Sequence, residues 1–245
     1  MTGYHYYKTT GAAHSTSRRT QASLRLSHNR SEPRLTDPDY LILKGRTRIL
    51  EVCLNEIHEN HLHILDVGGR LQPYRKMLQS RTESYTAIDP QLEGLADVIA
   101  VAEHLPFADE QFHLAICSQV LSYVDDPAAA IAEIHRVLRH GGYLFVSVPT
   151  TCPQYFDERW RFLRDGIEFL LGDFSDVRIF PETYSLGGVL RTVNKILEQS
   201  HSRTGRRIAE RVVFPMLNTL GQRLDSRLFK SEFLTPNYSA FAHKR

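Results

Sequence analysis

The stretch HILDVGG, residues 63–69, sets the fold of this chain of 245 residues. It is a short, mostly apolar run closed by two glycines, the pattern of a buried strand that ends in a tight turn. Pro73 follows, at a place that suits the first turn of a helix predicted to reach about residue 80. Further strands are predicted at residues 85–88, 97–100, 113–117 and 143–148.

Helical patterns separate these strands. Apolar residues from Tyr40 onward fall mainly on one face and predict a helix that ends near residue 59. Residues 126–139 predict a second, amphipathic helix, which Gly141 ends. Because apolar strands alternate with helices, the sequence predicts an α/β fold whose parallel sheet is covered on both faces.

Two acidic residues stand at the ends of neighbouring predicted strands. Asp66 lies one residue before the end of the first strand, and Asp89 ends the second, 23 residues after Asp66. Ligands of such sheets bind at the carboxyl ends of the strands, where glycine lets the backbone approach them closely. The Asp89 carboxylate offers acceptors for both hydroxyls of a ribose. The pair therefore predicts a cofactor of the adenosine type.

A nicotinamide dinucleotide competes with this interpretation. Its usual turn, G-x-G-x-x-G, holds a pyrophosphate at a helix N-terminus. Here residues 68–73 read GGRLQP and lack the later glycines, which disfavours a dinucleotide. A nucleotide-dependent oxidoreductase stays an alternative, because the strand–helix–strand unit and Asp89 suit it too.

A set of motifs across residues 63–149 resembles the class I S-adenosylmethionine-dependent methyltransferases. The resemblance implies methyl transfer and a Rossmann-like fold, with a seven-stranded, mostly parallel sheet, helices on both faces and a helical insertion before a last, antiparallel strand. Residues 176–180 would form the sixth strand of that fold, and residues 238–242 the last. Besides HILDVGG, the matching pieces are PYR (73–75), AID (87–89), AEHLPF (102–107), FHL (112–114), QVL (119–121), VDDP (124–127), EIHRVL (133–138) and GG (141–142).

The same resemblance assigns residues to S-adenosylmethionine. Gly68 and Gly69 would line its methionine part, and Asp66 would favour its ammonium group. Asp89 would take the ribose hydroxyls, and Ser118 would face the region of the sulfonium. With Ala102 and Glu103 bordering the adenine, the predicted cofactor residues are Asp66, Gly68, Gly69, Arg70, Asp89, Ala102, Glu103 and Ser118.

Two positions depart from the family pattern. Arg70 stands where the family usually has glycine, and it would pair with the cofactor's carboxylate. Val101 stands where the family often has aspartate, so the adenine amino group would need another acceptor. These departures motivate a second hypothesis, a catalytically silent methyltransferase-like subunit that binds a partner through residues 187–232.

The acceptor is less well specified. Residues 157–166, which include Trp160, resemble a segment of family members that modify sugars or cell-surface glycans. We therefore expect methyl transfer to an O or N atom of a small-molecule, sugar or lipid-linked glycan acceptor. An acceptor hydroxyl also needs a base within reach, and the candidates for it are Tyr123, Asp157 and His104.

The two ends of the chain differ from its middle. Residues 1–36 are basic and rich in Ser and Thr, which predicts a disordered tail or, as an alternative, an organelle transit peptide. Residues 37–245 form the predicted methyltransferase domain. Within it, residues 187–232 form a helical insertion that carries several arginines. This insertion predicts a helical cover or homodimer contact or, alternatively, a peripheral contact with anionic lipid.

Composition narrows the classes of protein. A hydrophobic fraction of 42% and a charged fraction of 24% are ordinary for a globular chain. Three cysteines without a CxxC pair predict reduced thiols, and no secretory or membrane-spanning pattern is present, so we expect a cytoplasmic protein. Residues 32–186 carry a net charge of −10, which argues against nucleic acid as the central ligand. No metal site is predicted.

Overall fold

The strands follow the sequence prediction closely. The structure is a computed structural model that describes residues 14–91, 94–151, 153, 157–228 and 230–245. Its strands are β1 (Leu62–Val67), β2 (Thr82–Asp89), β3 (Val98–Ile99), β4 (Phe112–Ser118), β5 (Leu138–Pro149), β6 (Ser175–Pro181) and β7 (Asn237–His243).

Helices lie between and before these strands. A 3₁₀ turn at Gln79–Arg81 continues α3, and a π-helical turn at Ala209–Val213 joins α7 to α8. The α-helices are α1 (His14–Ser31), α2 (Tyr40–Leu54), α3 (Arg75–Leu78), α4 (Pro127–Val137), α5 (Arg164–Leu170), α6 (Ser185–Glu198), α7 (Arg203–Ile208) and α8 (Phe214–Leu228).

One sheet contains all seven strands, in the order β3-β2-β1-β4-β5-β7-β6. The first five pair in parallel along this order, whereas β7 runs antiparallel to both β5 and β6. This confirms the predicted Rossmann-like α/β sheet, mostly parallel and with its last strand reversed. The carboxyl ends of the parallel strands consequently meet at one edge, where ligands of such sheets bind.

Both faces of the sheet are covered. Successive residues of a strand point to opposite faces, so Ile64 and Ile116 pack in one apolar cluster, with α2 and α3. Leu65 and Cys117 lie in the other cluster, with α4 and α5. The central strands are buried on both sides, which explains why they read as nearly continuous apolar runs.

The helix after β4 is shorter than predicted. The Asp126 side chain caps it by accepting from the backbone N–H groups of Ala128 and Ala129. The helix ends at Val137, because Leu138 is already extended and begins β5. Gly141, expected to end the helix, lies inside β5 at φ +75°.

The N-terminal segment differs from the expected disordered tail. Residues 14–31 form α1, and residues 1–13 lie outside the described part of the chain. The Ser27 Oγ donates to the Gln72 carbonyl at 3.3 Å, and Glu32, directly after α1, pairs with Lys76 at 3.1 Å. These contacts join α1 and the residue that follows it to the segment after β1.

The predicted helical insertion corresponds to α6, α7 and α8. None of the helices in the described part of the chain combines the length and apolar character that crossing a bilayer requires. Within those same residues, no cluster of three or more His, Cys, Asp or Glu side chains is arranged to hold a metal ion.

Candidate active site

The fold brings the predicted site residues to one edge of the sheet. Val67, the last residue of β1, pairs with Ile88 on β2 and with Cys117 on β4. Asp89 and Ser118 are therefore the next residues on the two strands that flank β1. The turn that begins at Gly68 lies between them, at the carboxyl edge of the sheet.

This turn has no room for side chains. Gly68 adopts φ +70°, and a Cβ built on it would lie 2.2 Å from Val120 Cγ2. A Cβ on Gly69 would lie 2.8 Å from both Ala87 Cβ and Asp66 Cγ. Gly69 N–H donates to the Ile88 carbonyl at 2.8 Å and fixes the turn to β2. The packing of the turn against Val120, Ala87 and Asp66 therefore requires glycine at both positions.

Asp66 is a buried carboxyl, 3% exposed. The Tyr85 hydroxyl donates to its Oδ2 at 2.7 Å. Burial raises the pKa of Asp66 to about 7; the Tyr85 hydrogen bond opposes that rise, and the nearby Asp89 and Asp97 add to it. A group with this pKa responds strongly to a cation placed beside it. Tyr85 was not predicted as a site residue.

Asp89 and Arg70 lie side by side at the end of β2. Asp89 is half-buried, and its Oδ1 accepts from the Gln91 N–H at 2.9 Å. Burial raises the pKa of Asp89, while the Gln91 hydrogen bond and the Arg70 charge lower it in part. Arg70 runs along the loop after β2: its guanidinium donates to the Gln91 side chain, and its carbonyl accepts from Leu95 N–H at 2.8 Å. The guanidinium therefore lies on the Asp89 side of the glycine turn.

The loops after β3 and β4 are joined at the predicted adenine side. Ala102 is buried, and the partly exposed Glu103 accepts from the Asp125 N–H at 2.8 Å. Val101, the second departure from the family pattern, is exposed beside His104. Glu103 is thus positioned by the loop that follows β4.

Two of the three candidate bases lie on adjoining loops. Tyr123, 45% exposed, follows β4, and Asp157, at φ +68°, follows β5. These loops are connected, because Arg159 N–H donates to the Ser122 carbonyl at 2.7 Å. His104 lies near Glu133 of α4, whose pKa is lowered mainly by Arg136, with a smaller contribution from His104.

A buried polar network at the same edge was not predicted. Glu182, after β6, accepts from Arg46 Nε at 2.8 Å and from Arg46 Nη2 at 2.9 Å. It also accepts from the Ser147 hydroxyl at 2.5 Å and from the Ser239 hydroxyl at 2.8 Å. The network therefore ties α2 to the ends of β5 and β6 and to β7. The pattern of the sequence carries no signal that pairs two residues so far apart in the chain.

Gln119 extends this network toward the predicted cofactor residues. It directly follows Ser118 and adopts φ +60°, an uncommon conformation for a residue with a side chain. Its amide donates to Ser147 Oγ at 2.9 Å and accepts from Asn237 at 3.1 Å. Asn237 Oδ1 is buried and has no hydrogen-bond partner among the described residues. Gln119 directly follows β4, and this position at the end of a strand is the sequence signal that would have singled it out.

Comparisons with known proteins find methyltransferases similar to part of this chain. Residues 65–146 match the methyltransferase domain family. A ubiquinone/menaquinone biosynthesis C-methyltransferase of Desulfotalea psychrophila is 30% identical over 97 residues, which cover 40% of this chain and 36% of the relative. A malonyl-[acyl-carrier protein] O-methyltransferase of Hamiltonella defensa is 27% identical over 94 residues, covering 34% of this chain and 36% of that protein.

Solved structures share the fold. A Haemonchus contortus phosphoethanolamine N-methyltransferase, in complex with phosphomonomethylethanolamine and S-adenosylhomocysteine, superposes with a TM-score of 0.53 at 14% identity, over 81% of this chain and 52% of that one. The chain spans only 27–36% of the length of the curated relatives that it matches. The chain is therefore similar to the methyltransferase domain family over residues 65–146, and it shares its fold with a solved methyltransferase.

Proposed function

We propose that the chain transfers a methyl group from S-adenosylmethionine to an O or N atom of a sugar-containing or lipid-linked acceptor. The observation that carries the proposal is the pairing of a side-chain-free turn at Gly68 and Gly69 with the Asp89 carboxylate on the neighbouring strand. This pairing suits a ribose next to a charged amino-acid moiety. The S-adenosylhomocysteine bound by the structural neighbour supports the choice of cofactor.

The residues present fit the cofactor. Asp89 would accept from the ribose hydroxyls, and the backbone at Gly68 and Gly69 would approach the methionine part. The buried Asp66 would favour its ammonium group. Arg70 lies beside Asp89, so we assign it to the ribose side of the site. Ala102 and Glu103 would border the adenine, and Ser118 would face the sulfonium region.

S-adenosylmethionine supplies a methyl group on a good leaving group, so the protein mainly aligns the acceptor. Alignment contributes on the order of 7–11 kcal/mol in good cases. Gln119 and Asn237 would hold the acceptor's polar groups, since Asn237 Oδ1 is buried without a partner among the described residues. Tyr123 or Asp157 would take the acceptor proton, because their loops adjoin each other at the carboxyl edge.

Trp160 supports a sugar-containing acceptor. Its indole Nε1 donates to the Val124 carbonyl at 2.9 Å, which fixes the ring against the loop after β4. The ring is nevertheless 41% exposed. A fixed, partly exposed aromatic face is suited to packing against the apolar C–H face of a sugar ring.

Calorimetry with the purified chain tests this function. We expect heat of binding with S-adenosylhomocysteine and none with NAD at the same concentration. Labelled S-adenosylmethionine then tests turnover on nucleotide sugars and lipid-linked sugars. Absence of binding at millimolar S-adenosylhomocysteine would contradict the proposal. Binding without turnover on any acceptor would favour the silent partner-binding subunit, which the unusual Arg70 and Val101 motivate.

Asp66 predicts a pH dependence of cofactor binding. Because its pKa in the folded protein, about 7, exceeds that of an unfolded chain, ionisation of Asp66 lowers the folding stability, which falls as the pH rises from about 4 to about 7. The cationic ammonium group of the cofactor stabilises the ionised form. Cofactor affinity is therefore expected to rise as the pH increases toward about 7, by up to roughly tenfold per pH unit.

Titration calorimetry at several pH values checks this expectation. Asp66→Asn should bind weakly and flatten the profile. Tyr85→Phe removes the hydrogen bond that lowers the Asp66 pKa, so it should move the rise to higher pH while leaving the carboxyl in place. An unchanged profile in Asp66→Asn would show that another group titrates.

A further inference from the structure

We propose that α6, α7 and α8 dock the protein onto an anionic membrane surface. The docking face, as the term is used below, comprises the exposed apolar and arginine side chains of residues 189–223. The proposal goes beyond methyl transfer, and the docking face would act in the same way whatever the acceptor is.

The apolar part of the docking face repeats at helical spacing. On α6, Val189, Val193 and Ile196 are exposed, with Ile196 at 65%. Four further apolar side chains are exposed at intervals of four residues along the following helical segment, so they share one stripe: Ile208, Val212, Met216 and Leu220. Because α6 packs against α8, the two stripes belong to neighbouring helices.

Arginines flank this stripe. Arg203, Arg207 and Arg211 are exposed and also recur every four residues, on the adjoining side of the helix, and Arg206 and Arg223 are exposed as well. Among the described residues, one ion pair involves these five arginines, between Arg206 and Glu210 at 3.9 Å. The face therefore carries an excess of positive charge beside its apolar stripe.

The opposite sides of these helices are already occupied by the fold. Phe214 is fully buried, and Asn194 donates to Asn218 at 3.0 Å between α6 and α8. Arg191 and Lys195, on α6, contact Asp39 at 2.8 and 3.2 Å. The helices are thus held in place by their inner sides. Their outer apolar side chains are exposed.

An anionic bilayer is the occupant that matches both features. Helices that lie in a membrane interface insert an apolar stripe and place Lys or Arg on the flanking polar side. Each such cation adds about 1 kcal/mol of attraction near an anionic surface. A second copy of the chain would bring the same five arginines against this set, so like charges would oppose a homodimer on this face.

Vesicle sedimentation of the full chain tests the docking face. We expect sedimentation with phosphatidylglycerol vesicles at low salt and little with phosphatidylcholine vesicles. The double variant Arg207→Glu/Arg211→Glu should partition at least about tenfold less onto phosphatidylglycerol. A matched charge change at two exposed arginines outside the docking face, Arg25→Glu/Arg245→Glu, should partition like the wild type. The variant Ile208→Ser/Val212→Ser should also lose binding, although its charge is unchanged.

Three results would overturn the proposal. They are a wild type that stays in solution with phosphatidylglycerol vesicles, an equal loss in the control variant, and a concentration-dependent dimer that Ile208→Ser/Val212→Ser abolishes without any vesicle binding. Circular dichroism verifies that each variant is folded. Calorimetry with S-adenosylhomocysteine on the same variants should give wild-type affinity, so failure of the docking proposal is distinguishable from failure of the proposed methyltransferase function.

Discussion

The variant Asp89→Ala is expected to bind S-adenosylhomocysteine at least roughly a hundredfold more weakly than the wild type. A carboxylate that accepts from two ribose hydroxyls makes two charge-assisted hydrogen bonds, each contributing about 1.5–3 kcal/mol. The structure leaves this carboxylate half-buried at the end of β2, with Gln91 N–H on Oδ1. Removal of the Asp89 carboxylate therefore removes the acceptors for the ribose hydroxyls, and no neighbouring carboxylate on β2 replaces them.

Two further variants make this experiment decisive. Asp89→Asn keeps one acceptor oxygen and the shape of the side chain, so its affinity should lie between those of the wild type and Asp89→Ala. Asp109→Ala removes an exposed carboxylate that pairs with Arg136, outside the proposed site, and should bind normally. Titration calorimetry measures all three. Wild-type affinity in Asp89→Ala would show that the ribose lies elsewhere, and the assignment of Arg70 would fall with it.

The site residues that could be predicted are those tied to the ends of strands. Asp66 and Asp89 stand out as carboxylates near the ends of two apolar runs, and the parallel sheet places those ends on neighbouring strands at one edge. The covered, mostly parallel sheet follows from the same alternation of strands and helices, whereas the order of its strands comes from the structure. Tyr85 was missed because it lies inside a strand, where an aromatic residue reads as core; only the structure places its hydroxyl on Asp66.

Contacts between distant segments could not be predicted. Arg46 and Glu182 are 136 positions apart. The apolar pattern around each of them gives no sign that its side chain is buried or which residue it pairs with. The same holds for α1. Its composition predicts disorder, and its order in the structure accompanies contacts with residues 72–76, which no local pattern reveals. Periodicity reports which face of an element is buried, but not which element covers it.

The second large effect concerns the buried ion pair between Arg46 and Glu182. Arg46→Met is expected to lower the free energy of unfolding by about 3–5 kcal/mol. Glu182 would keep the two serine hydroxyls but lose both guanidinium hydrogen bonds, and its buried charge would have no counter-ion. There is little room for rearrangement, because a Cβ on Gly45 would already lie 1.6 Å from the Glu182 carbonyl oxygen. Urea unfolding measures the loss.

A double variant separates the charge from the packing. Glu182→Gln keeps acceptor oxygen for the serines but leaves the Arg46 guanidinium buried without a carboxylate. Arg46→Met/Glu182→Gln removes both charges, so it should be less destabilised than the sum of the single variants, with a coupling of about 1–3 kcal/mol. Arg178→Met breaks an exposed pair with Glu56, in which both side chains are 42% exposed, and should cost less than about 1 kcal/mol. If Arg46→Met lowers the free energy of unfolding no more than Arg178→Met does, the Arg46–Glu182 pair does not stabilise the carboxyl edge of the sheet. Contacts other than this pair would then hold Ser147 in the position where it accepts from Gln119.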